Sequence, residues 1–251
     1  GTPVIFILHP KCLVTIRYVK LRSFVSFSTR AMRNPSLCVS PEIILEGLVE
    51  SFVNSLADGL EKTGGEIDQL LVDVFEKPKN LSESDDEKDD DKQEYKISDY
   101  YSVLIRRVGQ TGNLVSKIRE SLVSINRMLI FFSHIDDANF MSKKENRVRF
   151  RNISRELHSL TEYANFLAQR NSFLLDATLG MINLEQNAII KVFTVAAAVF
   201  LPPTLIASIY GMNFTHLPEI NWEYGYPFSL LLMVLSAVLP YYIFKRKGWI
   251  K

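Results

Sequence analysis

Residues Val192 to Ile209 read VFTVAAAVFLPPTLIASI, and residues Tyr226 to Phe244 read YPFSLLLMVLSAVLPYYIF. The first is 18 residues without a charge, the second 19. As helices at ~1.5 Å per residue they measure roughly 27 and 28 Å, just enough for a hydrocarbon core of ~30 Å. From Ala188 to Phe244 three of 57 residues are charged (Lys191, Glu219 and Glu223), whereas the preceding 187 hold 50 and the last seven hold four. A water-soluble globule has no reason to strip one quarter of its length of charge. The sequence therefore predicts a soluble part followed by two membrane spans. The whole chain, 251 residues with 29 basic and 28 acidic side chains, has no net basic field to suit nucleic acid.

Basic residues set the expected orientation. Lys191 precedes the first span and Lys245-Arg246-Lys247 follows the second, while the connecting loop has no Lys or Arg. By the positive-inside rule both ends are cytoplasmic, the loop is outside, and the protein sits in the cell (inner) membrane. Trp222, Tyr224 and Tyr226 at the outer edge, and Tyr241, Tyr242 and Trp249 at the inner, suit interfacial belts.

Working back from the spans, apolar residues recur at helical spacing through Leu157, Leu160, Leu167, Leu174 and Ile182, with no proline before Pro202. One helix is expected from about Asn152 to Ile209, roughly 85 Å long and projecting well beyond the bilayer. Leu104, Val108, Ile118, Leu122 and Leu129 predict another helix over 98–135, and Ser133 to Asn139 a reversal. A further amphipathic helix starts at Pro41 and runs to Val74, with Gly64-Gly65 a candidate interruption. Between these two, residues 82–92 hold seven acids in eleven; self-repulsion makes a solvated linker the expected state. At the start, Val4 to Leu8, the turn His9-Pro10-Lys11, and Leu13 to Val19 read as a hairpin. Two strands are marginal alone, so an α+β fold is expected, an N-terminally shortened β layer with long helices packed on it, joined by one long stalk helix to the two spans. No n-region or cleavage site of a secretory signal is read here. Cys12 and Cys38 form no CxxC pair and read as free thiols of a reducing compartment.

The domain plan is thus an α/β cytoplasmic domain over 1–151, a stalk helix over 152–191 and a transmembrane domain over 192–251. The last divides into a first span 192–209, an outer loop 210–225, a second span 226–244 and a basic tail 245–251.

Two spans cannot enclose an aqueous path, so a pore requires several copies around an axis. Stepping by four and three gives Asp176, Gly180, Asn183, Asn187, Ile190, Thr194, Ala197, Leu201, Thr204, Ser208 and Gly211, a heptad-type seam. It collects all three hydroxyls of the first span. A polar seam on a membrane helix faces protein or water; the competing reading is small-residue helix packing without conduction. Pro202-Pro203 frees carbonyls one turn back, which neighbours or cavity water must satisfy. Gly211, taken alone, reads as a left-handed helix cap.

The sequence Tyr210-Gly211-Met212-Asn213-Phe214, followed by Leu217-Pro218-Glu219 and Trp222-Glu223-Tyr224-Gly225-Tyr226-Pro227, resembles the signature of the CorA family of magnesium transporters. So do Phe200-Leu201-Pro202-Pro203-Thr204-Leu205-Ile206-Ala207 and Phe244-Lys245-Arg246-Lys247-Gly248-Trp249. The likeness covers about Leu174 to Trp249; the soluble part matches more loosely. It implies a homopentameric funnel whose stalk helix continues into the pore-lining span, ringed by the second spans. It implies that Gly211, Met212 and Asn213 form the outer capture site for hydrated Mg²⁺. Pore positions would fall on Asp176, Asn187, Thr204 and Asn213, with a hydrophobic constriction at Ile190, Phe193, Ala197 and Leu201. Glu219 and Glu223 would attract cations outside.

Departures from the family pattern are Leu217 for Met and Ser208 for Gly. The family's cytoplasmic regulatory metal site, at which Mg²⁺ holds the pore shut, would place Asn152 where a carboxylate is expected. No enzyme motif is present: the four histidines lack metal-ligand spacing, and there is no GxSxG, Walker loop or HExxH. No cofactor is implied; Mg²⁺ is cargo, with Co²⁺ and Ni²⁺ as further candidates. The rival readings are a zinc transporter of the same superfamily, against which Met212 speaks, and a non-conducting membrane-anchored scaffold.

Overall fold

The computed structural model describes residues 3–76, 90–133, 144–212, 222 and 224–249, with helix side chains described over 99–132 and from 148 onward. The chain divides into two compact units, Gly1–Leu179 and Gly180–Lys251.

In the first unit, β1 (Val4–His9) and β2 (Cys12–Arg17) form the expected hairpin, antiparallel with Val4 opposite Arg17 and His9 opposite Cys12. Strict alternation half-buries Phe6, Leu8, Leu13 and Thr15 and leaves Ile5, Ile7, Val14 and Ile16 exposed. The inner face reaches the helices through three rings. Phe6 stacks on Phe24 at 6.5 Å and meets Phe52 edge-on at 6.3 Å, and Phe24 meets Phe52 edge-on at 5.5 Å. Such pairs add about 0.5–1.5 kcal/mol each beyond area burial.

Phe24 belongs to α1 (Arg22–Arg33), a helix that the sequence analysis does not predict. It docks against Gly47 of the long helix that follows. A Cβ there would collide with the Phe27 ring, and Arg30 donates to the Gly47 carbonyl at 3.2 Å. A 3-10 turn over Pro35–Cys38 leads into α2 (Pro41–Phe75). Ser40 caps α2 by accepting from the Ile43 N–H at 3.4 Å, with Pro41 in the first turn, as capping preferences dictate. Gly64-Gly65 does not interrupt it. Gly64 instead gives room to Tyr163, whose hydroxyl would stand 2.7 Å from an added Cβ.

The remaining helix of this body is α3 (Asp90–Ser133), and α4 (Lys144–Tyr210) starts here too. Asp73 pairs with Arg107 at 2.9 Å, while Gly59 lies against Ile118; rising α2 numbers meet falling α3 numbers, so the pair is antiparallel. Glu46 pairs with Arg149, and Asp68 with Arg170, so α4 runs parallel to α2. The core fills the space between: Leu45, Val53, Leu60 and Ile67 from α2, Leu104, Val108 and Leu122 from α3, and Leu157, Leu167 and Leu174 from α4. Helix α3 begins within the acidic run, at Asp90 rather than Ser98, because acids favour a helix's first turn. The rest of that run and the reversal after Ser133 lie outside the described residues. Cys12 and Cys38 are exposed free thiols.

In the second unit, α4 continues to Tyr210 through Pro202 and Pro203, and α5 spans Gly225–Arg246 with Pro240 inside. These two helices are long and apolar enough to cross a membrane. Their most apolar windows are 0% and 6% buried within the chain, respectively. A soluble core helix would be buried, so this exposure points to lipid or to other copies as the covering phase.

Candidate functional site: one face of the long helix

The candidate residues are arranged by helical geometry. Along the apolar part of α4, the half-shielded residues are Val195, Ala198, Val199, Pro202, Pro203, Ile206 and Tyr210. At 3.6 residues per turn these lie on one side. Thr194, Ala197, Leu201, Thr204, Ser208 and Gly211 lie on the opposite side, and each is exposed. The same holds for Gly180, Asn183, Asn187, Ile190 and Phe193. Leu201 and Phe193 are 65% and 67% exposed. Asp176, in the first unit, is also exposed, two residues and hence about 200° of rotation from buried Thr178 and Leu174. The seam thus points away from whatever the chain itself packs against the helix.

The hydroxyls of this face are already oriented. Thr194 donates to the Ile190 carbonyl and Thr204 to the Phe200 carbonyl, each at 2.7 Å. Their single proton is spent on the helix, which leaves oxygen lone pairs outward as acceptors. Amide oxygens of Asn183 and Asn187 add acceptors lower down. This is chemistry for the water shell of a cation, whose hydrogens point outward. Pro202 and Pro203 lack the N–H that would bond the Ala198 and Val199 carbonyls, and those two residues belong to the shielded side.

At the end of α4, the Gly211 N–H donates to the Ala207 carbonyl at 2.9 Å and the Met212 N–H to Ile209 at 3.3 Å. The left-handed cap expected at Gly211 is not formed: among the described residues, positive φ occurs at Gly248 alone. The glycine answers to space instead, since an added Cβ would meet the Ala207 carbonyl oxygen at 3.0 Å. Asn213, Glu219 and Glu223 lie outside the described residues.

Asn152 is exposed on α4, one turn from Arg149. Among the described residues no group of three or more His, Cys, Asp or Glu could hold a metal ion. Arg149 itself reaches Glu46 at 3.8 Å. Glu46 is buried, and that burial raises its carboxyl above the usual range; Arg149 opposes the rise and Glu50 adds to it.

Sequence reasoning missed the polar ties that fix the register of α4. Thr111, 5% exposed, donates to Asn171 Oδ1 at 2.7 Å, and Gly112 beside it leaves space for that amide. Arg170 pairs with Asp68 one residue away. The partners are far apart in sequence, and only helix packing joins them.

A family of description "CorA-like Mg2+ transporter protein" matches residues 1–246. The chain is 31% identical over 250 residues to the magnesium transport protein CorA of Yersinia pseudotuberculosis and to that of Escherichia coli K12. The match covers 100% of this chain and 72% of each relative. Among solved structures, the CorA magnesium transporter from Methanocaldococcus jannaschii aligns with a TM-score of 0.70 at 20% identity, over 95% of this chain and 68% of that one. The full-length CmaX protein aligns with a TM-score of 0.60 at 14% identity, over 99% and 68%. At such identities the structural likeness speaks for the fold.

Proposed function

The chain belongs to the CorA family, and we propose that it is a Mg²⁺ transporter acting as a homopentamer around a path lined by α4. Members of this family are channels or transporters rather than enzymes, and no residue is assigned a catalytic role. The observation that carries the reading is the polar seam of α4, exposed along its whole length and opposite the face shielded within the chain. With two spans per chain, such a seam becomes a conduit only when several copies set it around an axis.

Mg²⁺ is small and dehydrates reluctantly. A ring of carboxylates at the mouth would bind it directly and retain it. Neutral amides, one Asn213 per copy beside Gly211 and Met212, accept hydrogen bonds from its water shell, which selects the ion yet releases it. Glu219 and Glu223 raise the local cation concentration outside. Thr204 and Ser208 continue the acceptor wall inward. The exposed rings of Ile190, Phe193, Ala197 and Leu201 form a constriction that closes by dewetting. Asn187, Asn183 and Asp176 receive the ion at the inner end. Hydrated Co²⁺ and Ni²⁺, of similar size, follow the same route. Both ends lie in the cytoplasm and the spans cross the cell (inner) membrane, a reading supported by the Lys and Arg bias, with membrane lipid around the spans. Cytoplasmic Mg²⁺ gates the path through a regulatory site that includes Asn152, whose neutral side chain weakens one ligand position; a Mg²⁺ titration that left protease sensitivity unchanged would count against this gating.

The test is Mg²⁺ influx into liposomes, read by an internal dye, for the parent and Asn213→Ala. Influx that disappears in the variant supports the reading. Absence of influx in both, with pentamers intact on a sizing column, overturns it in favour of a scaffold. Zinc influx without magnesium influx would reassign the cargo.

A further inference from the structure

The end of α5 is closed by a feature that ion conduction does not use. Gly248 adopts φ +72°, a left-handed conformation that glycine reaches without strain. Its N–H donates to the Lys245 carbonyl, and the Trp249 N–H donates back to the Phe244 carbonyl, both at 3.1 Å. The chain thereby reverses, and the Trp249 ring lies against Phe244 at 5.2 Å between centroids. This is a complete Schellman termination with its hydrophobic contact. It holds an indole beside the last helical turn instead of letting it trail away.

That last turn carries Lys245, Arg246 and Lys247, all exposed. Among the described residues no carboxylate pairs with any of them; the described ion pairs all lie in the first unit. Successive residues turn by about 100°, so the three cations fan around more than half of the helix circumference. Trp249 remains 43% exposed, enough to contact something besides Phe244. Three uncompensated cations repel one another, and an interfacial indole sits at headgroup depth. The other end of α5 offers a contrast within the same helix. Trp222 packs on Phe228 at 5.6 Å, but no Lys or Arg occurs between Lys191 and Lys245.

We propose that the C-terminal end of α5 binds the phosphate headgroup of an anionic phospholipid. Lys245, Arg246 and Lys247 supply the charge, and the Gly248 reversal holds Trp249 beside the same headgroup. The inference rests on α5 being a membrane span.

The experiment uses the full chain carrying Trp222→Phe, which leaves Trp249 as its single tryptophan. It is placed in vesicles containing brominated phosphatidylglycerol or brominated phosphatidylcholine, each diluted in unbrominated phosphatidylcholine. Trp249 should be quenched by the anionic lipid with an apparent affinity about tenfold above that for the zwitterionic one, as three cations near a charged headgroup allow. The preference should fall to near unity in Lys245→Gln/Arg246→Gln/Lys247→Gln. Should that variant fail to insert, 1 M salt must erase the preference in the parent. Equal quenching by both lipids overturns the proposal while leaving the span intact. No quenching by either overturns the span as well. Relief of quenching by millimolar inorganic phosphate at constant ionic strength would reassign the cations to a free anion.

Discussion

Helix α4 follows two different rules along its length. Between Phe150 and Thr178, buried residues recur at spacings of three, four or seven, facing α2 and α3. Between Ile190 and Gly211, no residue is buried, although the composition is more apolar. In the first stretch the apolar periodicity marks a core completed inside one chain. In the second, apolar residues occur on all sides, and the informative periodicity belongs to the polar residues. The hydrophobic pattern therefore reports tertiary packing in water, and the polar pattern reports what a helix faces in lipid.

The largest effect that separates these rules comes from matched truncations. Leu167→Ala removes a side chain 1% exposed and should cost about 2–5 kcal/mol of stability, with the cavity it leaves setting the exact cost. Leu201→Ala removes one that is 65% exposed and should leave the melting temperature nearly unmoved while altering Mg²⁺ flux. Chemical denaturation of both variants in one detergent, beside liposome flux, reads the difference. Equal destabilisation would erase the contrast.

A second test sharpens the meaning of packing in the first unit. Gly47→Val places carbon where the Phe27 ring lies, and Phe27 is 6% exposed. Overpacking should cost about 1–3 kcal/mol and should loosen α1 before the helices beneath it. Hydrogen exchange should register faster opening of residues 22–33 with α2 and α3 protected as before. Uniform loss of protection would mean that α1 is part of the same cooperative unit.

On the second stretch, Thr204→Val keeps shape and removes the outward oxygen that accepts hydrogen bonds. Flux of Mg²⁺ should fall about tenfold, equivalent to ~1.4 kcal/mol in the barrier, with stability within ±0.5 kcal/mol. Val195→Thr, on the half-shielded side, should leave flux unchanged. A reversed pattern would put the conducting face on the wrong side.

Much of this architecture was legible in the residues, for identifiable reasons. Long helices declare themselves by repetition, so α2 and α5 appeared within two residues of their ends, α4 at its far end although it begins at Lys144 rather than near Asn152, and the hairpin by alternation around Pro10-Lys11. Helix α1 did not, because Phe24, Val25 and Phe27 follow β-branched strands and imitate their composition. The onset of α3 was hidden because the same acids that repel one another in a linker also favour a helix start. At Gly211 the residue type was informative but the cause was different: close approach to the Ala207 carbonyl, not positive φ. The seam from Gly180 to Gly211 was legible as spacing. That it opposes the shielded face required coordinates, as did the Thr111–Asn171 tie.

The smallest expected effect lies where α2 meets the start of the described part of α4. Glu46 is buried beside Arg149 and one turn from Glu50, whose own partner is Arg30 at 3.1 Å. Burial raises its carboxyl, so the folded chain holds this proton more tightly than the unfolded one. Linkage then fixes the sign: its contribution is fully present below the unfolded carboxyl range and is lost as pH rises through the folded value. Stability attributable to Glu46 should therefore increase on mild acidification, opposite to an ordinary salt-bridged carboxylate. Glu46→Gln should remove that slope, with a difference below about 1 kcal/mol because Arg149 is more than half exposed. Melting temperatures of parent and variant from pH 7 down to pH 4 should diverge most at the upper end. There the parent should melt below the variant; a parent melting above it would mean that the Arg149 attraction, rather than burial, governs the site.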